Sequence, residues 1–323
     1  MSSSPVVIVN TEAPAGPLGV LADAHPDLTV VGCDSYGDLP GLIAKTGAEV
    51  VFTIKFGGGH AFPRPALVES STVKWVSVGG SGTDHLRPWD PAQVTITNSA
   101  GVAADMMAEY AIGAMLSFSL DLRGFRRRQN AHHWDLAGKV EPIEGRTLLI
   151  LGLGKTGEAV ARRAKAMGLN VLGVRARPQQ TPHVDTVHGM EDLPDLWGRA
   201  DFIVCAVPLL ASTRGLLDAG AFAAMKPSAV LIDVSRGGVV DEAALRAALD
   251  AGRLKGVALD VFATEPLPAD HVLWDYDNVI ITPHCSSVYD GWDLKAARMF
   301  AENLSRYRDG APLANIVDPQ RGY

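Results

Sequence analysis

The stretch TLLILGLGKTGEAVARRAKAMGLNVLGVRARP, Thr147 to Pro178, decides the fold. Thr147 to Leu151 is an apolar, β-prone run, and Gly152, Gly154 and Gly157 follow it at G-x-G-x-x-G spacing. An Ala/Arg-rich helical pattern then runs to Gly168, and a second apolar run spans Val171 to Val174. Strand, glycine turn, helix and strand in about 30 residues make a dinucleotide-binding βαβ unit. Gly152 permits the tight turn, Gly154 lets backbone approach a pyrophosphate, and Gly157 lets helix pack closely on strand. The N–H groups and positive dipole end of that helix suit phosphate.

The end of the second strand selects the dinucleotide. A site for NAD usually places a carboxylate there to bond the ribose 2′-OH. Here the position falls in Arg175-Ala176-Arg177, and no carboxylate lies between Asn170 and Asp185. Guanidinium groups at Arg175 and Arg177 suit a 2′-phosphate, which arginine binds bidentately. The expected coenzyme is NADP(H), with NAD(H) as the alternative; two solvated strand-end charges would be the plainer account of the arginines.

Working outward, 323 residues suffice for two domains. A hydrophobic share of 47% with 20% charged residues fits a globular enzyme. A net charge of -7 argues against nucleic acid as partner. Cys33, Cys205 and Cys285 lie far apart and form no disulfide framework, so a cytoplasmic location is expected. The N-terminus lacks a signal-peptide pattern, and no apolar run reaches membrane-spanning length. His132-His133 lacks a third ligand at metal spacing, and no metal is expected.

Before the central unit, short β-branched runs at Val6–Val9, Leu28–Val31, Glu49–Ile54, Val73–Val78 and Val94–Thr97 alternate with turn residues. Two glycine loops end strands, Gly57-Gly58-Gly59 and Gly79-Gly80-Ser81-Gly82; either could present N–H groups to an anion, or be a plain turn. A helical pattern runs from Ala103 to Leu122, and the polar stretch Arg123 to Glu144 reads as a surface excursion. Later strands are expected at Phe202–Val207, Ala229–Val234, Val257–Val261 and Val279–Thr282, with a helix capped by Asp241 and stopped at Gly252. A last helix spans Asp290 to Arg308. The alternation predicts an α/β fold of two Rossmann-like or flavodoxin-like doubly wound domains with a cleft between them. The expected division is 1–99 plus 289–323 for a discontinuous substrate-binding domain, and 100–288 for the coenzyme domain.

Three chemistry-bearing motifs sit at ends of the later strands: LIDVSRGG with Arg236, LDVFATEP with Asp260 and Glu265, and TPHCSS with His284. In open parallel sheets that edge also holds the ligand. Reduction of a 2-keto acid needs a cation to grip the carboxylate and polarise the carbonyl, and Arg236 suits that role. It needs an acid for the new alkoxide; imidazole titrates in the right range, and His284 supplies one. It needs a carboxylate to hold that imidazole protonated, and Glu265 is the candidate. Taken singly, a strand-end arginine is more often a surface charge, a lone histidine more often structural, and Glu265-Pro266 could be a turn. A nucleophilic role for Cys285 is not expected, because neighbours in an extended strand end point opposite ways.

GLGKTG, VSRGGVVDEAAL, LDVFATEPLP and TPHCSS resemble the D-isomer-specific 2-hydroxyacid dehydrogenase family, as do SVGGSGTDHL and AEYAIGAML. The resemblance covers nearly the whole chain. It implies the roles above for Arg236, Glu265 and His284, and it implies substrate carboxylate binding at the Ser81 and Gly82 backbone. It also implies that Asp260 supports the site at the nicotinamide end, that Val207 and Pro208 line the adenosine, and that Lys155 and Thr156 meet the pyrophosphate. Val234, Ser235 and Ser287 complete the implied coenzyme set. A homodimer is implied as well, with Arg123 to Trp134 at its interface. VRARP looks like the NADPH-dependent glyoxylate/hydroxypyruvate reductases. The expected activity is therefore reduction of a small 2-keto acid to the D-2-hydroxy acid. Another D-2-hydroxyacid or phosphoglycerate-type dehydrogenase, or a dinucleotide-sensing interaction protein, are the alternatives. HCSS departs from the small residues that often follow this histidine in the family.

Overall fold

Parallel strands covered on both faces need unbroken apolar runs rather than alternation. The first unit meets that requirement with VIVN, VVFT and WVSV, every residue of which is buried. In the computed structural model, which describes residues 4–54, 61–136, 138–319 and 321, the chain forms two compact units. Met1–Val102 and Tyr289–Tyr323 make one, and Ala103–Val288 the other.

The first unit runs β1 (Val7–Asn10), α1 (Ala15–Ala24), β2 (Val30–Cys33), α2 (Leu39–Thr46), β3 (Val50–Thr53), α3 (Arg64–Val68), β4 (Trp75–Val78) and β5 (Thr95–Asn98). Its strands are parallel in the order β2-β1-β3-β4-β5, the flavodoxin-like arrangement. The Gly57–Gly59 loop lies outside the described residues.

The second unit runs α4 (Ala104–Ser119), α5 (Leu122–Asn130), β6 (Thr147–Leu151), α6 (Lys155–Ala166), β7 (Asn170–Val174), β8 (Thr186–His188), α7 (Leu193–Leu196), β9 (Phe202–Cys205), α8 (Ala219–Ala224), β10 (Val230–Asp233), α9 (Glu242–Asp250), β11 (Gly256–Leu259) and β12 (Val279–Ile281). Its parallel sheet has the order β12-β11-β10-β9-β6-β7-β8. The order reverses between β6 and β9, the switch point at which open α/β sheets take ligands. α10 (Trp292–Arg308) returns to the first unit. There Phe300 stacks on Phe52 at 4.9 Å, and the buried His25 pairs through Nε2 with the Ala301 carbonyl at 3.0 Å.

Asp241 caps α9 as expected, its carboxylate accepting from the amides of Ala243 and Ala244, and Gly252 stops the helix at φ 62°. One expectation needs correction. The helix expected over Ala103 to Leu122 ends at Ser119, because Asp121 takes a left-handed conformation (φ 47°) and accepts from the Gly124 amide. That cap starts α5, so the stretch after Arg123, exposed as expected of a surface excursion, begins as helix. No described helix is long and apolar enough to cross a membrane.

Candidate active site

The glycine turn after β6 is built by exclusion. Gly152 adopts φ +95°, and a Cβ there would lie 2.6 Å from the Ala206 carbonyl and 3.1 Å from Val207. A Cβ at Gly157 would run into the Gly152 carbonyl, so α6 can approach β6 only with glycine there. Gly154 caps α6, and a Cβ on it would meet no atom of the chain within 4 Å. Backbone is therefore approachable where the first-turn N–H groups of α6, starting at Lys155, lack helical partners. The Thr156 hydroxyl is turned toward the Met107 sulfur at 3.6 Å, so what Thr156 offers an anion is its amide. Val207 and Pro208 follow β9, beside this turn.

Arg175 and Arg177 stand at the end of β7, and the Arg175 guanidinium reaches the Thr181 hydroxyl at 3.5 Å. Asp185, the first carboxylate beyond them, is committed at the opposite end of that strand. It accepts from the Val171 amide at 2.8 Å and from Lys165 at 2.8 and 3.0 Å. The Lys165 bond and then the Val171 amide hold its carboxyl below the ordinary aspartate value.

The three strand-end motifs meet on adjacent strands, β10, β11 and β12. His284 Nδ1 lies 2.8 Å from Glu265 Oε2, and Glu265 Oε1 accepts from the Phe262 amide at 3.0 Å. Gly237 packs so tightly on this segment that a Cβ would overlap the Phe262 carbonyl. That contact brings the loop carrying Arg236 against the loop carrying Glu265. Arg236 is partly buried and donates to the Ser235 carbonyl at 2.8 Å.

Two carboxylates lie beneath. Asp260, 1% exposed, accepts from Thr282 Oγ1 at 2.6 Å and from the amides of Cys285 and Ser286 at 2.9 and 3.0 Å. Asp233, also 1% exposed, accepts from the amide and hydroxyl of Ser235. Burial, and further the Asp260 charge, push Asp233 up to about 7, against the Ser235 bonds and Arg236, which lower it. Ser235 is thereby turned inward, and Val234 beside it is 2% exposed. Ser287 lies in the turn after Ser286.

The expectation that Cys285 follows an extended residue is corrected, since His284 has φ 52° and the chain turns there. Cys285 is exposed, and burial of its sulfur together with the Asp260 charge raises its pKa, so it stays a thiol. Tyr110 and Thr282 carry no chemistry-bearing motif of their own in the sequence. The structure joins their hydroxyls at 2.9 Å across 172 residues of sequence, a pairing that leaves no local signal.

In the first unit, the Gly79–Gly82 loop is pinned by Asn98 Nδ2 donating to the Ser81 carbonyl at 2.8 Å and by the Ser99 amide donating to the Gly80 carbonyl. A Cβ at Gly79 would lie 2.5 Å from Ile54.

Residues 112–286 match the family model described as D-isomer specific 2-hydroxyacid dehydrogenase, NAD binding domain. The chain is 31% identical over 265 residues to a D-3-phosphoglycerate dehydrogenase of Methanocaldococcus jannaschii, covering 80% of this chain but 50% of that protein. It therefore spans about half the length of that relative. It is 32% identical over 234 residues to a glyoxylate reductase of Korarchaeum cryptofilum, covering 70% of each. Among solved structures, a D-isomer specific 2-hydroxyacid dehydrogenase of Xanthobacter autotrophicus Py2 in complex with NADPH and MES superposes with a TM-score of 0.85. That pair shares 30% identity over 99% of this chain and all of the other.

Proposed function

The chain belongs to the D-isomer specific 2-hydroxyacid dehydrogenase family, and from that premise we propose that it reduces a small 2-keto acid of the glyoxylate or hydroxypyruvate type to the D-2-hydroxy acid, with NADPH as reductant. The observation that carries the proposal is the His284–Glu265 pair at 2.8 Å, joining the loops after β12 and β11, with the Arg236 loop after the neighbouring β10.

Glu265 accepts a hydrogen bond from Nδ1–H of the imidazole, so the proton for the substrate is the one on Nε2. In keto-acid reduction that proton goes to the developing alkoxide, and in the reverse direction His284 takes it back. Arg236 grips the carboxylate and polarises the carbonyl. Asp260 supports this end of the site from beneath. In the first unit, the amides at Ser81 and Gly82 are the proposed anion binders.

The coenzyme would supply the hydride. Gly152, Gly154, Gly157 and the amides of Lys155 and Thr156 would hold its pyrophosphate, with Val207, Pro208, Val234, Ser235 and Ser287 around it. Arg175 and Arg177 would take a 2′-phosphate. This preference is supported by the lack of a carboxylate from Val171 to Val184 and by the commitment of Asp185 to Lys165. The relative from Xanthobacter autotrophicus was crystallised with NADPH.

The proposed assembly is a homodimer in the reducing cytoplasm. Leu122, Phe125, Trp134 and Leu136 are exposed on and after α5, and Trp134 and Leu136 are each 88% exposed. Large apolar side chains exposed this close together in sequence support that reading.

The test is a panel of 2-keto acids, with glyoxylate, hydroxypyruvate and 3-phosphohydroxypyruvate among them, assayed with NADPH and NADH. The proposal expects the short keto acids to be turned over, with a larger kcat/KM for NADPH. Activity on 3-phosphohydroxypyruvate alone would favour the phosphoglycerate-type alternative, and NADH preference would refute the roles of Arg175 and Arg177.

A further inference from the structure

We infer that Tyr110 and Thr282 are positioning residues for the proton-delivering imidazole, acting through Asp260 on the backbone turn that carries His284. The inference rests on the keto-acid reading above and extends it to two side chains that need touch neither substrate nor coenzyme.

Asp260 binds the turn directly, because the amides of Cys285 and Ser286, the two residues after His284, both donate to its carboxylate. His284 itself holds φ 52°, a left-handed backbone state that is uncommon outside glycine and must be held by its surroundings. The carboxylate thus serves as a template for a turn that the chain would not favour alone.

What orients the carboxylate is a chain of two hydroxyls. Thr282 Oγ1 lies 2.6 Å from Asp260 Oδ1, and Tyr110 Oη lies 2.9 Å from Thr282 Oγ1. Thr282 donates its single hydroxyl proton to Asp260 Oδ1. Its oxygen is then an acceptor, and Tyr110 must donate to it. The direction of both bonds follows from proton count. Burial, with a smaller push from the Asp260 charge, raises the Tyr110 phenol to about 12, against the lowering effect of the Thr282 bond. Tyr110 therefore keeps its proton throughout the working range.

The donor end is anchored. Tyr110 sits on α4, whose Ala108, Ala111 and Met115 are fully buried against the core shared with α6 and β10. A rigid helix in one part of the fold thereby fixes a hydroxyl at the start of the catalytic turn, as a supporting shell should.

The test uses the full-length protein and the variants Y110F, T282V and T282S. Two readouts are taken: steady-state kinetics with glyoxylate and NADPH, and amide hydrogen exchange in the segment holding Cys285 and Ser286. The expectation is a fall in kcat of about fivefold for Y110F and about tenfold for T282V, the scale of one lost hydrogen bond, with KM for NADPH held within about twofold. Exchange at Cys285 and Ser286 should rise in both variants while β10 and β11 keep their protection. T282S, which restores the hydroxyl, should return both readouts toward those of the parent.

Parent-like kcat and exchange in Y110F would overturn the inference. So would lost activity with unchanged exchange at Cys285 and Ser286, or a rise in exchange spread evenly over the sheet. If the parent protein turned over no keto acid, the functional reading would fall by itself. The exchange data would still decide whether Tyr110 and Thr282 hold the turn.

Discussion

His284 is tied through Nδ1 to Glu265, so the proposed substrate chemistry falls to the other ring nitrogen. Replacing His284 with Asn removes the transferable proton but keeps a polar side chain of similar reach. We expect kcat to fall by about 10² to 10⁴, the usual range for a lost general acid, with the affinity for NADPH retained. Turnover equal to that of the parent would remove His284 from the mechanism. Asp233 makes a separate prediction. Its carboxyl is held at about 7 against 3.8 when unfolded, chiefly by burial. A carboxyl raised on folding gives stability that is whole below the unfolded value and is lost as pH climbs through the folded value. A neutral amide in its place has no such loss, so the Asp233→Asn variant should gain on the parent between pH 4 and 7 and hold that gain above. Urea unfolding at pH 5 and pH 8 checks it; an equal gap at both would contradict it. At this scale the placement of Arg236, Glu265 and His284 after neighbouring strands was legible, because each motif follows an apolar run. The grip of Asp260 on two backbone amides was not, since an acceptor's backbone partners leave no mark on sequence.

Among elements, the junction of β6 with β9 carries the switch point, and Asp201 ties it. Its carboxylate accepts from the Thr147 amide at 2.9 Å and from Lys226 at 2.9 Å, with Arg146 at 3.8 Å. Burial alone would raise this carboxyl, but the Thr147 and Lys226 bonds and the Arg146 charge outweigh it and leave the value below 3.8. The sign is opposite to that of Asp233: the stability is present above pH 3.8 and is lost as pH falls through the lower folded value. Replacing Asp201 with Ala should cost about 2 kcal/mol at pH 7, the scale of hydrogen bonds to a charged group, and the cost should shrink in acid. Denaturant titrations at pH 7 and pH 3.5 measure it, and a cost that ignored pH would contradict the assignment. Most strands were legible because they are buried on both faces and read as unbroken apolar runs. α1 was not: AGPLGVLADA holds two glycines and a proline, and its helix is stabilised by docking on α10, where Leu294 lies over Gly16. α5 escaped for a different reason. LRGFRRRQN is dominated by arginines, with only Leu122 and Phe125 as large apolar residues, and the left-handed cap at Asp121 separates it from the helix before.

Over the whole molecule, the formal charge is -7, yet the strand ends of the second sheet present Arg175, Arg177, Arg236 and His284. The guanidinium groups of Arg175, Arg177 and Arg236, set at strand ends that also carry Asp260 and Glu265, can draw anionic ligands to that edge. A phosphorylated coenzyme and a keto acid are both anions, which fits the proposed chemistry better than a neutral substrate would. The measurement that tests the central claim most directly uses NADPH carrying deuterium at both C4 positions, with glyoxylate and hydroxypyruvate as acceptors and mass analysis of the hydroxy acids formed. The account predicts one deuterium at C2 of each product, and the D configuration for glycerate. Product without deuterium, or deuterium released to water, would contradict direct hydride delivery and with it the roles given to Arg236, Glu265 and His284.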